Sequence, residues 1–245
     1  MSKTWIIPDV HGCVATLKLM VAQQIKPVKS DRLIFLGDYI DRGPDSKGVI
    51  DFIIQLQAQG YNITALKGNH EDFCVKAREA DKNRKNVSGI KAKSYPQKMW
   101  ELNGGKQTLE SFGVLWPSEI PEKYIRWMES LVYFVETEKF IAVHAGMNFN
   151  LDDPFSDTYS MLWIREFQIK PEKINNKILI HGHNPVSLKF IDMTIRKENP
   201  VSVDLDNGIY VNNISGYGNL VVLEINSMEY KVQTVVDEVH YNKLF

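Results

Sequence analysis

Leu33-Ile34-Phe35-Leu36 runs straight into Gly37-Asp38-Tyr39-Ile40-Asp41-Arg42-Gly43, an apolar stretch of strand length that ends in a glycine-bounded loop carrying two carboxylates and an arginine. A run this short between turn residues reads as a buried strand. In layered α/β proteins ligands gather just beyond the carboxyl ends of such strands. The arrangement recurs on either side. Upstream, Thr4 to Ile7 leads into Asp9-Val10-His11-Gly12; downstream, Ile63 to Leu66 leads into Gly68-Asn69-His70-Glu71. Helical spacing follows each loop, over Val14 to Ile25 until Pro27 stops it, over Gly48 to Ala58 and over Glu71 to Ala80. Three strand-loop-helix units predict a layered α/β fold in which the three loops converge.

From Asp81 to Lys98 the apolar pattern fades, and Lys82, Arg84, Lys85, Lys91, Lys93 and Lys98 face a single acid, Asp81. This reads first as an exposed, solvated excursion, with a surface that attracts acidic substrates as the functional alternative. Helices are expected again over Trp100 to Phe112 and Glu122 to Leu131, the latter with Pro121 in its first turn. Beyond Val132 the chain turns strand-rich, with strands expected at Tyr133 to Glu136, Lys139 to Val143, Lys177 to Ile180, Val201 to Leu205, Leu220 to Ile225 and Tyr230 to Val235. No linker composition or internal repeat divides it, so residues 1–245 are expected to form one domain with a helical and basic excursion at about 81–131.

Twenty-nine Lys and Arg balance 30 Asp and Glu, which leaves no overall field to draw in nucleic acid or a membrane surface. No apolar run approaches the roughly 18 to 20 residues of a membrane span. Asp9 and His11 arrive too early to leave room for a removable leader. Cys13 and Cys74 cannot form a disulfide framework, so a reducing, cytoplasmic setting is expected.

Five of the six histidines, His11, His70, His144, His181 and His183, stand at predicted strand ends; only His240 lies elsewhere. Asp, Asn and His offer oxygen and imidazole donors without thiolate, which suits manganese, iron or zinc. Calcium would want more oxygens. Singly, each fragment is weak: Asp-x-His and Gly-Asn-His are also common turn spellings, and a histidine after an apolar strand is often a packed core residue. The conjunction of five fragments in order favours a site.

The order Asp9-x-His11-Gly12, Gly37-Asp38-x-x-Asp41-Arg42-Gly43, Gly68-Asn69-His70-Glu71, His144-Ala145-Gly146 and Gly182-His183 resembles the signature of the phosphoprotein phosphatases, bacterial type, within the calcineurin-like metallophosphoesterases. The resemblance implies a four-layer α/β/β/α sandwich of two mixed sheets flanked by helices. It implies two divalent ions, manganese first with iron or zinc as alternatives. Asp9, His11 and Asp38 match ligands of one ion, while Asp38 bridges to a second held by Asn69, His144 and His183. Arg42, Asn69 and Arg165 match phosphate-binding positions, His70 the general acid and Asp41 the carboxylate that orients it. The implied reaction is hydrolysis of phosphomonoesters on serine or threonine of a protein or peptide, by a hydroxide made available between two ions about 3.5–4 Å apart. Small phosphoesters are a further substrate class.

Some spellings depart from the pattern. Pro8 replaces a usual glycine, Asn184 a common threonine, and Asp206-Asn207-Gly208 resembles a motif usually written Asp-Thr-Gly. None alters a matched ligand. His181 has no matched role and reads as a packed or supporting histidine. The rival within the chemistry is a bis(5′-nucleosyl) tetraphosphate hydrolase, a group that usually lacks the equivalent of Asp41 and carries aspartate in place of Glu71. Trp100 to Gly113 also resembles a segment of bacterial protein phosphatases. A non-catalytic scaffold would be marked by lost ligands, and every matched position is filled.

Overall fold

Alternating side chains on the first strand set up the layers. A computed structural model describes residues 2–84, 92–211 and 213–240. Its strands are β1 (Thr4–Ile7), β2 (Arg32–Phe35), β3 (Asn62–Ala65), β4 (Phe134–Glu136), β5 (Phe140–Val143), β6 (Ile178–His181), β7 (Ser202–Asp204), β8 (Asn219–Glu224) and β9 (Glu229–Thr234). One sheet has the order β3-β2-β1-β8-β9, the other β4-β5-β6-β7. Both are mixed: β1 pairs parallel with β2 and antiparallel with β8, while β5 pairs antiparallel with β4 and parallel with β6.

Because strand side chains alternate between faces, Ile6, Ile34 and Leu223 of the first sheet meet Ala142, Ile180 and Val203 of the second. Their neighbours Trp5, Ile7, Leu33 and Phe35 point the other way, into a cluster with Leu17, Ile53 and Ile125 from helices. On the far side, Ile141, Val143 and Leu179 pack with Met161 and Ile174. The result is the expected four-layer α/β/β/α sandwich, and burying each such aliphatic side chain contributes about 1.5–3 kcal/mol.

The helices are α1 (Val14–Leu19), α2 (Ser46–Ala58), α3 (Asn69–Lys82), α4 (Tyr95–Trp100), α5 (Lys106–Phe112), α6 (Glu122–Glu129), α7 (Thr158–Trp163) and α8 (Leu188–Ile195). α1 runs on into a π-helical turn, Met20–Ile25, that ends at left-handed Lys26 before Pro27. α2 is capped by Asp45, which accepts from the Gly48 N–H. α3 begins two residues earlier than the apolar spacing indicates, so Asn69 and His70 lie in its first turn rather than in a loop.

The helix expected over Trp100 to Phe112 is interrupted. A π-helical turn, Glu101–Gly105, separates α4 from α5, with Gly104 at φ 108°. Pro121 occupies the N-cap of α6, one position before the first turn. α7 and α8 stand in the region read as strand-rich; Ile191 and Ile195 of α8 join the layer between the sheets.

Within the excursion, Lys85 and Lys91 lie outside the described residues. Lys82 pairs with Glu122, Arg84 with Asp81, and Lys93 with Glu101. The acids missing from the local sequence come from α4's continuation and α6. That removes much of the positive field a steering surface needs. Neutralising Lys82, Arg84 and Lys93 together is therefore expected to change kcat/KM by less than about 2-fold for acidic phosphopeptides relative to a small aryl phosphate, as screened or paired surface charges contribute little. A selective loss on the acidic peptides, restored to parity by salt, would revive steering.

Candidate metal centre and active site

The loops after β1, β2, β3, β5 and β6 meet at one end of the sandwich, and the backbone there is held in unusual conformations. His11, Asp38, Asp41, Arg42 and His183 all have positive φ, five of ten such non-glycine residues among those described. Each costs on the order of 1–3 kcal/mol, which the surrounding contacts must offset. Close packing of glycines is one such contact: a Cβ on Gly68 would stand 2.1 Å from Asp38 Oδ1, and one on Gly43 would stand 2.0 Å from the His11 carbonyl.

Glu71 supplies another. Its buried carboxylate accepts from the N–H groups of Asp38 (3.0 Å), Tyr39 (2.9 Å) and Gly68 (3.0 Å), tying the loop after β2 to the start of α3. Removing it strands buried donors that each cost about 1–3 kcal/mol when unmet. Glu71→Ala is accordingly expected to lower the unfolding free energy of the metal-free protein by about 3–5 kcal/mol, read by urea denaturation. A loss below about 1 kcal/mol would mean that solvent takes over those donors.

Asp38 is the hub. Its Oδ2 lies 3.6 Å from His11 Nε2 and 3.8 Å from His70 Nε2, and its Oδ1 lies 3.4 Å from His144 Nε2. Two groups able to hold a cation share it: His11, Asp38 and His70 on one side, Asp38, His144 and His183 on the other. Asn69 Oδ1 completes the second side, 2.9 Å from His144 Nε2 and 3.0 Å from His183 Nδ1. On the first side the structure groups His70 with His11 and Asp38, whereas Asp9, in the loop after β1, lies against the His183 loop and accepts the His183 N–H at 3.1 Å.

The donors suit divalent ions. His11 Nδ1 lies 2.9 Å from the Ile40 carbonyl and His144 Nδ1 lies 3.1 Å from the Leu36 carbonyl. A carbonyl only accepts, so each Nδ1 carries the proton and each Nε2 keeps its lone pair toward Asp38, the tautomer that binds metal. His183 Nε2 is buried without a partner among the described residues. Burial pushes Asp38 up to about 7 and raises Asp9 well above the carboxylate range, with the charges of Asp206 and Asp38 adding to it. Burial likewise holds His144 down at about 3. Carboxylates this dry persist as anions only beside positive charge, and the imidazoles stay neutral as ligands must.

Arg42 and His70 lie beside these groups. The Arg42 guanidinium lies over the Tyr210 ring, 4.2 Å from its centroid, with Nη1 2.7 Å from His11 Nε2 and Nη2 3.0 Å from His70 Nε2. His70 Nδ1 meets Asp41 Oδ2 at 2.6 Å. Asp41 is fully buried and accepts in addition from Trp100 Nε1 (2.8 Å) and Thr108 Oγ1, while Gly104 accepts the Arg42 N–H at 3.2 Å. Thus the segment Trp100 to Gly113 is the collar of the Asp41-Arg42 loop. Arg165 is exposed, with Nη1 3.1 Å from Asn184 Oδ1 and its carbonyl accepting from Asn184 Nδ2. His181 joins neither group; it packs edge-on against Phe167, 5.4 Å between centroids.

A fold of this kind with paired Asp/His groups at its strand ends is the architecture shared by metal-dependent phosphoesterases. The chain belongs to the calcineurin-like phosphoesterase family, whose model matches residues 2–213. Among curated relatives, serine/threonine-protein phosphatase 1 of Salmonella typhimurium is 30% identical over 101 residues, 41% of this chain and 38% of that one. A symmetrical bis(5′-nucleosyl)-tetraphosphatase of Buchnera aphidicola is 26% identical over 159 residues, 64% of this chain and 49% of that one. The chain thus spans less than half the length of these relatives. A Saccharomyces cerevisiae protein serine/threonine phosphatase structure superimposes with TM-score 0.59 at 14% identity, covering 98% of this chain and 82% of its own, which shows the shared fold. No helix among the described residues is long and apolar enough to cross a membrane.

Proposed function

We propose that this chain is a serine/threonine protein phosphatase that hydrolyses phosphomonoesters with two divalent ions, manganese foremost. Asp9, His11 and Asp38 would hold one ion, and Asp38, Asn69, His144 and His183 the other. Bound there, the ions would supply Lewis acidity and a hydroxide near neutral pH. Arg42, whose guanidinium lies over the Tyr210 ring, would present a planar fork to two phosphoryl oxygens, and Arg165 and Asn69 would bind the same group. Paired forks of this kind stabilise charge that spreads over those oxygens in the transition state.

The observation that carries the reading is the buried His70–Asp41 pair, 2.6 Å apart. In the metal-free site burial, followed by the Arg42 charge, holds His70 well below its ordinary pKa. A dianionic phosphoryl group beside Nε2 would favour the protonated imidazole, with Asp41 fixing the proton on Nδ1. An oriented acid is needed when the leaving group is a strongly basic alkoxide, as from phosphoserine or phosphothreonine. Splitting a dinucleoside polyphosphate expels a nucleoside phosphate, a far better leaving group that gains little from an acid.

The nucleotide reading is kept as the second one, because the tetraphosphatase relative aligns over the longer stretch. Phosphoserine, phosphothreonine and phosphotyrosine peptides and diadenosine tetraphosphate, assayed side by side with added manganese, decide between them. Higher kcat/KM on the phosphoserine and phosphothreonine peptides is expected; preference for the dinucleotide would replace this reading with the second.

A further inference from the structure

Asp206 opens the Asp-Asn-Gly motif that the site described so far does not use. It is 1% exposed. Its backbone is clamped on both sides: the N–H donates to Asp204 Oδ1 at 3.0 Å, and the carbonyl accepts the Val186 N–H at 2.8 Å. Oδ1 accepts the Gly208 N–H at 2.7 Å. Oδ2 is buried with no hydrogen-bond partner among the described residues. A carboxylate oxygen in that state is expensive unless positive charge or a donor meets it.

Its neighbour is Asp9. A Cβ on Gly182 would stand 2.3 Å from Asp9 Oδ1 and 3.6 Å from the Asp206 Cβ, so a single glycine separates the two acids. Among the charges acting on Asp9, that of Asp206 is the largest, ahead of Asp38 and Asp204. Two acids packed around one glycine in a dry interior repel each other, and the clamped Asp206 backbone prevents withdrawal. A cation shared between them relieves that repulsion while leaving both acids ionised, which a proton kept by one of them would not.

We propose that Asp206 belongs to the metal centre and strengthens divalent-ion binding on the Asp9 side. The proposal rests on reading Asp9, His11 and Asp38 as a metal site. Manganese titration of the full chain, by calorimetry with metal analysis after gel filtration, tests both levels. Two ions per wild-type chain uphold the underlying reading, and none would defeat it. In Asp206→Asn, where the amide oxygen still accepts from Gly208, manganese affinity at one of the two sites is expected to fall by roughly 10- to 100-fold. The metal-free variant should melt no lower than wild type, because a repulsion is gone, while the rise in Tm on adding manganese should shrink. Asp206→Ser, also able to accept from Gly208, covers the case in which the amide fails to fold. Wild-type manganese affinity in either folded variant would overturn the proposal, and a lower metal-free Tm with that affinity would show that Asp206 only anchors its turn.

Discussion

Asp38→Asn is expected to leave a folded protein that retains neither ion at full occupancy and turns over phosphoserine peptides about 10³-fold or more slowly, since losing several kcal/mol of metal-supplied stabilisation has that effect on a rate. The carboxylate is 1% exposed and faces both histidine groups, through Oδ2 toward His11 and His70 and through Oδ1 toward His144. An amide of the same shape loses the charge and turns an NH2 donor toward one group or the other. Rotation offers little relief, because Gly68 packs against Oδ1 and Glu71 fixes the Asp38 N–H. Asn69→Ala makes a useful contrast. Among the described residues Asn69 Oδ1 lies within hydrogen-bond distance of His144 and His183, so that variant should weaken one ion and spare the other. Metal analysis settles it: two ions per chain in the Asp38 variant at wild-type affinity would remove Asp38 from its bridging place.

The strand-end loops were legible because each follows a short apolar run and uses residue types that bury badly without a purpose. The structure brings Asp9, His11, Asp38, Asn69, His144 and His183 together at the strand ends. What holds them could not be read locally. The bonds from Trp100 and Thr108 to Asp41 span 59 and 67 residues, and nothing in the periodicity of that helical stretch marks the π-helical break that lets Gly104 reach Arg42. In the sequence Glu71 served only to tell two substrate classes apart; in the fold four backbone N–H groups, of Asp38, Tyr39, Ile40 and Gly68, converge on it. The ion pairs of Lys82 and Lys93 similarly draw on acids that arrive from other helices, so a local charge count overstated the basic patch. α8 shows the opposite failing. Leu188, Ile191 and Ile195 have helical spacing, and Ser187 accepts from the Phe190 N–H at its start, but the signal is only eight residues long beside strong strand formers.

His70→Asn is expected to separate two substrates that the rest of the site treats alike. An aryl phosphate such as nitrophenyl phosphate expels an anion stable enough to leave unprotonated, whereas phosphoserine expels an alkoxide. General acid catalysis contributes about 10²- to 10⁴-fold where it is needed, so the loss on phosphoserine peptides should approach that range and the loss on the aryl ester should be small. The structure supplies the reason to treat His70 and Asp41 as one unit. Asp41 Oδ2 accepts from both His70 Nδ1 and Trp100 Nε1, Oδ1 from Thr108, and the Asp41 N–H reaches Ser46 Oγ at 2.9 Å. A carboxylate so constrained holds the imidazole in one orientation and one tautomer. Asp41→Asn keeps the shape of this cage, and by disturbing the proton on Nδ1 it should lower the phosphoserine rate on its own. Placed in the His70→Asn background it should cost little more, because its effect passes through the ring that is already gone. Both variants must first be shown folded by circular dichroism and loaded by metal analysis, since His70 also stands 3.8 Å from Asp38 Oδ2. With those controls met, equal losses on the two substrates would recast His70 as a phosphate or metal contact. Fully additive losses would detach Asp41 from it and return the dyad to the scaffold.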